Sequence, residues 1–232
     1  MHETESPEDS PLPPAPAGDA AAPQEALEPH RPYAILANRD FSLYLVGRLV
    51  ALLGQQMFGM ALGWEIYDRT GSALALGLVG LTQMVPMFLF TLPAGHVADN
   101  YSRKRVVVLM TAITAAASVA LAGISAYRAP VPWIYLCLLV AGSARTFMWA
   151  ANAAFLPHLV DRKDLPRAIN WNAGVFQLSC IVGPTMAGGI IAWMARGHSP
   201  APAAPVYAIH AAAATVFCVL VSMIRRQHTV AV

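Results

Sequence analysis

The sequence predicts an all-α membrane protein with six transmembrane helices, and three observations lead to this fold class. Of the 232 residues, 56% are hydrophobic and only 12% are charged, whereas a soluble domain carries about 25% charged residues. The apolar residues fall into blocks of about 18 or more, which is long enough for a helix to cross a bilayer. These blocks are solid rather than alternating, so helices and not membrane strands are expected.

The first segment of the chain differs in composition from everything that follows. Residues 1–30 contain seven Asp or Glu residues, many prolines and no Lys or Arg. Such a stretch buries too little apolar surface to fold, and it lacks the basic start and apolar core of a signal peptide. We predict a disordered acidic tail over residues 1–32.

Six spans follow the tail in order, separated by turns rich in polar residues, Gly or Pro. The sequence DRTGS follows the first span, RAPVP separates the third from the fourth, and RGHSPAPAAP separates the fifth from the sixth. We place a transmembrane domain over residues 33–226, followed by a short C-terminal stub over residues 227–232. The spans are predicted at about 41–65, 74–97, 106–127, 132–156, 168–193 and 206–224.

The basic residues predict which way these spans cross the membrane. Ten of the 15 Lys and Arg residues lie on the side of the N-terminus, and three lie on the opposite side. Because Lys and Arg are enriched in cytoplasmic loops, we expect both termini and the loops between spans 2 and 3 and between spans 4 and 5 to be cytoplasmic.

The cysteines give no sign of a metal site or a disulfide framework. Cys137, Cys180 and Cys218 lie inside apolar blocks, without a neighbouring Cys or His cluster. We expect ordinary buried side chains, no metal, no cofactor and no nucleic-acid partner.

Two arginines lie inside predicted spans, where a charged side chain costs about 2.5–3.5 kcal/mol on insertion scales. Arg48 lies about seven residues into the first span, roughly 10 Å from its end, so its side chain can reach the surface. Arg145 lies about twelve residues from either end of the fourth span, near 18 Å from water. We therefore expect Arg145 to face a wet cavity or a buried acid, and Arg48 to be mainly structural.

Uncharged polar residues within the spans leave two interpretations open. Gln55 lies deep in the first span, and Asn170 and Gln177 are seven residues apart on one stripe of the fifth span. These side chains either line a central cavity or form hydrogen bonds between helices.

Two titratable residues lie near predicted span ends. Glu65 is expected to be a solvated flank of the first span. His210 lies just inside the sixth span, where an interfacial position is the simpler interpretation and a proton relay is the alternative.

The loop between the second and third spans carries a recognisable motif. It reads PAGHVADNYSRKRVVVL over Pro93–Leu109. Within it, Gly-x-x-x-Asp followed by three bases resembles the signature loop of the major facilitator superfamily, which also lies between spans two and three. The resemblance implies a conformational latch that holds the cytoplasmic side closed in one state. Its residues are Gly95, Asp99, Arg103, Lys104 and Arg105.

Longer stretches are similar to the enterobactin-exporter-like branch of the same superfamily, a group of bacterial efflux proteins. They run over Asn38–Asp99 and Ala144–Gly189. Arg145 falls where that family has its fourth-span arginine, which implies a role in proton coupling or substrate contact. The candidate residues for those roles are Arg145, Arg48, Gln55, Asn170 and Gln177.

A second motif lies in the fifth span. The sequence from Gly183 and Pro184 to Gly188 is similar to the Gly-Pro motif of exporters. Proline removes a backbone donor and clashes with the preceding turn, so a kink is expected. It acts either as a hinge or as a packing feature.

The resemblance also implies an architecture and a function. Transporters of this superfamily have two six-span halves, each an inverted 3+3 repeat, with the substrate near the midplane. This chain resembles the N-terminal half. We expect secondary active efflux of a siderophore, drug or metabolite by alternating access, coupled to protons, in a bacterial cell membrane. The expected partners are the lipid bilayer, the small-molecule substrate, protons, and a second six-span half, either the C-terminal half or another copy.

Two alternatives stay open at this point. One is a transport-inactive membrane fragment or scaffold. The other is a six-span intramembrane serine protease that uses Ser143 and His210, on the fourth and sixth spans. The Gly-x-Ser-Gly context of such a nucleophile is absent, and no oxyanion-binding constellation stands out. We therefore do not expect an enzyme.

Overall fold

The computed structural model of the protein describes residues 38–160 and 164–223, without the side chains of residues 98, 99, 103 and 151–159. The predicted tail (1–32) and C-terminal stub (227–232) lie outside the described residues. The described residues form six helices, each long and apolar enough to cross a membrane, which confirms the predicted fold class. They are α1 Arg39–Thr70, α2 Ala73–Asn100, α3 Arg103–Ala126, α4 Val131–Leu159, α5 Leu165–Arg196 and α6 Ala204–Met223.

Local sequence signals account for the limits of α1. The side chain of Asn38 accepts hydrogen bonds from the backbone N–H of Asp40 and Phe41, at 3.1 and 3.3 Å, which is the preferred N-cap arrangement. The helix continues past the predicted end at residue 65 and stops at Thr70. It stops there because Gly71 adopts the left-handed conformation (φ 59°) that glycine reaches without steric cost.

The helices pack in an arc whose order is α2, α4, α3, α6, α1, α5. This order is symmetric with respect to the two halves of the sequence. If α1 exchanges places with α4, α2 with α5 and α3 with α6, the order of the arc is reversed. The same pairs of helix positions therefore remain neighbours. Since successive spans run in opposite directions, α1 and α4 are antiparallel. The arrangement is therefore the 3+3 inverted repeat that the family resemblance implied.

Two apolar clusters form the core, one towards each end of the bundle. The cluster at the end where α1 begins includes Phe41, Val107 and Phe217. The cluster at the opposite end includes Leu62 and Tyr207. The layer between them is polar: Thr114, Ser118 and His210 are all buried there.

Helix α2, at one end of the arc, exposes much of its apolar surface. Phe88 is 81% exposed and Leu92 is 85% exposed. Only 11% of the most apolar window of α2 is buried, against 44% for α6. The ends of the arc are therefore the surfaces left to lipid or to a partner.

Candidate functional site

A polar cavity opens in the middle layer of the bundle. Its enclosed volume is about 10 Å³, room for about one water molecule, and the rest is a cleft open at the bundle surface. Five helices contribute to it, and α5 does not. Its lining residues are Gln55 and Phe58 of α1, Gln83 of α2, Thr114 of α3, Leu138, Ala141, Gly142 and Arg145 of α4, and His210 of α6.

Arg145 occupies the centre of α4. It lies fourteen residues from either end of the helix, about 21 Å along the axis. Its guanidinium donates a hydrogen bond to the side-chain oxygen of Gln83 on α2, at 3.4 Å, and the residue is exposed on the surface of the bundle. The structure thus places this arginine in the deep position that the sequence predicted, against a neutral partner.

His210 is held in one tautomer by a short chain of hydrogen bonds. The Ser118 hydroxyl donates to the backbone oxygen of Thr114 at 2.8 Å, which uses its single hydrogen. The same oxygen lies 2.8 Å from Nδ1 of His210, so Nδ1 carries the proton and donates. Nε2 is then left as an acceptor.

The interfacial position expected for His210 is wrong. The imidazole is only 3% exposed, and its ring centroid lies 4.8 Å from that of Phe58. The reason is the orientation of α6, whose buried stripe repeats at intervals of three and four residues. That stripe comprises Tyr207, His210, Ala214, Phe217 and Val221. The spacing is visible in the sequence and is the signal that could have identified His210.

The other predicted site residues within the spans divide between the cavity and outer surfaces. Gln55 lines the cavity. Asn170 and Gln177 are exposed on α5, which stands at the end of the arc and does not reach the cavity. Gln83 and Ser118, which sequence reasoning missed, belong to the site.

Arg48 joins α1 to α5 near the end where α1 begins. Its Nε donates a hydrogen bond to the side-chain oxygen of Asn172, and its guanidinium carbon lies 6.0 Å from the centroid of the Tyr44 ring. Asn172 was not identified from the sequence. This arginine has protein partners on two sides, in contrast to Arg145.

The Gly-Pro motif of α5 lies at a close approach between α5 and α1. A Cβ placed on Gly183 would lie 2.6 Å from Cβ of Gln56 and 3.1 Å from the backbone oxygen of Leu53. Glycine at this position is therefore required by the approach of α1 and α5. A Cβ on Gly188 would meet no described atom within 4 Å.

The loop between α2 and α3 contacts the end of α6. Nζ of Lys104 donates to the backbone oxygen of Ser222 at 2.8 Å, where a base complements the negative helix C-terminus. Arg105 is exposed, and a Cβ on Gly95 would meet no described atom within 4 Å. The side chains of Asp99 and Arg103 lie outside those that the structure describes.

Glu65 is not the solvated flank that the sequence suggested. It is 4% exposed and lies 2.5 Å from the guanidinium of Arg69. Arg69 also donates to the backbone oxygens of Ser125 at 3.3 Å and Ala129 at 2.8 Å, around the C-terminal end of α3. The i, i+4 spacing of acid and base was the available signal.

The curated relatives that match this chain are named as efflux proteins or transporters. The chain is 30% identical over 163 residues to the multidrug efflux pump Tap of Mycobacterium tuberculosis, covering 65% of this chain and 37% of the relative. It is 27% identical over 142 residues to macrolide efflux protein A of Streptococcus pyogenes, covering 61% and 35%. It is 24% identical over 142 residues to the staphyloferrin A transporter of Staphylococcus aureus, covering 60% and 36%.

The matched region thus spans about a third of the length of these curated relatives. No solved structure matches the chain. The sequence profile of the Major Facilitator Superfamily matches residues 44–231, which begin in the second turn of α1 and include the other five helices. Together with the inverted repeat of six apolar helices, this match shows that the chain is a multi-pass membrane protein that belongs to the Major Facilitator Superfamily.

Proposed function

We propose that this chain is one six-helix half of a secondary active transporter that exports a small molecule by alternating access. The observation that carries the proposal is the polar cavity, which places Arg145 and His210 in the middle of an otherwise apolar bundle. Ionisable residues at membrane depth are costly and mark substrate or ion pathways. The relatives named for macrolide efflux and multidrug efflux support export as the direction.

A second six-helix half completes the transporter in this proposal. Transporters of this superfamily bind substrate between two such halves, and the matched region spans about a third of its relatives. The exposed surfaces of α2 and α5 at the ends of the arc, including Asn170 and Gln177, supply a face for that half. The partner is either a C-terminal half or another copy of this chain.

Proton coupling is assigned to the cavity. His210 has its Nδ1 proton fixed by Ser118, so a further proton binds at Nε2. A second positive charge beside Arg145 raises the electrostatic energy of the cavity, which favours proton release when the site opens to the other side. Arg48 and Gln55 flank this pathway on α1.

The latch of the loop between α2 and α3 is assigned to Gly95, Asp99, Arg103, Lys104 and Arg105. The bond from Lys104 to the end of α6 supports it, because it ties the loop to a helix that lines the cavity. Asp99→Asn in the assembled transporter is expected to lower efflux strongly while membrane insertion is unchanged. The neighbouring change Asn100→Gln is the control. Equal efflux by the Asp99→Asn variant and the wild type would contradict the latch assignment.

The protease alternative receives no support from the geometry. The hydroxyl of Ser143 donates to the backbone oxygen of Leu139 in its own helix, at 2.8 Å, and Nδ1 of His210 is engaged by Ser118. A serine nucleophile needs its base within hydrogen-bond reach. The proposal is therefore a transporter of the bacterial cell membrane and not an enzyme.

Transport in proteoliposomes tests the proposal. The chain is reconstituted alone and together with a C-terminal six-helix unit of a relative, a pH gradient is imposed, and uptake of a labelled macrolide and a labelled carboxylate siderophore is measured. We expect gradient-driven accumulation that a protonophore abolishes and that Arg145→Ala lowers, with Ser143→Ala as the control. Absence of accumulation in both preparations would overturn the transporter assignment.

A further inference from the structure

The guanidinium of Arg145 is a cation whose charge no described side chain compensates. Within the described part of the chain its hydrogen-bond partner is the neutral amide of Gln83, at 3.4 Å. The two ion pairs found among the described residues, Glu65 with Arg69 and Asp164 with Arg167, leave Arg145 out.

The helices around the cavity place every carboxylate out of reach. The segments α3, α4 and α6 contain no Asp or Glu. On α1, Glu65 is ten residues from Gln55, about 15 Å along the axis, and it already pairs with Arg69. On α2, Asp99 is sixteen residues from Gln83, about 24 Å away.

An uncompensated cation at membrane depth favours an anion from outside the chain. A charge at membrane depth is stabilised when it is paired, and the planar guanidinium matches a carboxylate in a bidentate fashion. The amide N–H groups of Gln55 and Gln83 line the same cavity and add neutral donors. The guanidinium complements a carboxylate and repels an ammonium, so it is the group that discriminates between the two charges.

We propose that the open side of the central cavity, where Arg145 is exposed, binds the anionic group of an organic molecule, with Arg145 as its counter-ion and the amides of Gln55 and Gln83 as further donors. This inference rests on the proposed transport function and narrows it, because it gives the transported molecule a carboxylate or a comparable anionic group. A cationic substrate would meet an unopposed positive charge in this half of the protein.

Equilibrium binding to the chain in lipid nanodiscs tests the inference. The probes share one fluorophore and differ in charge: 1-naphthylacetate is the anion, 1-naphthylacetamide is neutral, and 1-naphthylmethylammonium is the cation. We expect the anion to bind about tenfold more tightly than the amide, as one charge-assisted hydrogen bond predicts, and the cation to bind most weakly.

Matched variants test whether the preference for the anionic probe depends on Arg145. Arg145→Gln is expected to bring the anion and the amide to equal affinity, whereas Arg145→Lys keeps part of the preference because the charge remains. The control Arg196→Gln removes the same charge from the exposed last turn of α5 and leaves the preference intact. Circular dichroism and thermal unfolding of each variant verify that the helices are formed.

The outcomes separate this inference from the transport function on which it rests. An anion that binds no more tightly than the amide, a preference that survives Arg145→Gln, or no saturable binding of the anion would each overturn it, even where proton-driven transport is observed. An Arg145-dependent preference without transport in proteoliposomes would support the anion site and count against the transporter assignment alone.

Discussion

Nδ1 of His210 donates a hydrogen bond to the hydroxyl of Ser118, 2.8 Å away, across the interface of α6 and α3. The bond joins a side chain from each three-helix repeat within the polar layer. Because the hydroxyl hydrogen is engaged by Thr114, the contact also leaves Nε2 as the acceptor nitrogen of the imidazole. A single serine therefore sets both the packing and the protonation state of this histidine.

Replacement of Ser118 is expected to destabilise the bundle modestly. Ser118→Ala removes a buried interhelical hydrogen bond, and such bonds in membrane proteins contribute about 0.6 kcal/mol on average and about 1.7 kcal/mol at most. The free energy of unfolding in mixed micelles should fall by an amount in that range. Ser143→Ala is the matched control, since the Ser143 hydroxyl bonds only within α4. Equal losses for the two variants would contradict the role of Ser118.

Addition of one methyl group at Gly183 is expected to force α1 and α5 apart. The new Cβ would overlap Cβ of Gln56 at 2.6 Å, and overpacking of this kind costs about 1–3 kcal/mol. Unfolding of Gly183→Ala in mixed micelles measures the loss. Gly188→Ala on the same helix meets no described atom within 4 Å and should be neutral or stabilising. A Gly183→Ala protein as stable as wild type would show that α1 and α5 can move apart without loss of unfolding free energy.

Loss of the Arg69 side chain is expected to be more damaging than a surface substitution. Arg69→Gln leaves Glu65 as a buried carboxylate without its partner and frees backbone oxygens at the end of α3. Breaking a buried ion pair on one side costs about 3–5 kcal/mol. The unfolding free energy should fall by that order, and Glu65→Gln introduced into Arg69→Gln should restore part of it.

Arg128→Gln is the control for that prediction. Nε of Arg128 also donates a hydrogen bond to a backbone oxygen, that of Pro200 at 2.8 Å, but this contact is exposed. We expect a change of less than about 1 kcal/mol. Similar losses at positions 69 and 128 would mean that burial of the Glu65 pair adds nothing.

The orientation of the bundle is open to direct labelling. In a chain whose three native cysteines are replaced, Arg105→Cys and Arg128→Cys each place one thiol at an exposed position, at opposite ends of the bundle. The bias of basic residues predicts that a membrane-impermeant maleimide added to intact cells labels position 128 and not position 105. The reverse pattern would invert the predicted topology.

The sequence by itself determined the six crossings, their order and the depth of Arg145. These properties depend on the length and hydropathy of each segment, which the order of residues along the chain specifies directly. The motif at Gly183 was equally visible, and its close crossing with α1 follows from the absence of a side chain. The inverted repeat followed from resemblance and is present in the order of the arc.

Only the tertiary structure decided which polar residues meet. Glu65 and His210 were both expected near water and are both buried, while Asn170 and Gln177 lie outside the cavity. Hydropathy does not specify the rotation of a helix about its axis or the identity of its neighbours, since these are set by side-chain packing between segments distant in the chain. Gln83 and Arg145 are 62 residues apart in sequence, and only the packing of α2 against α4 brings them together.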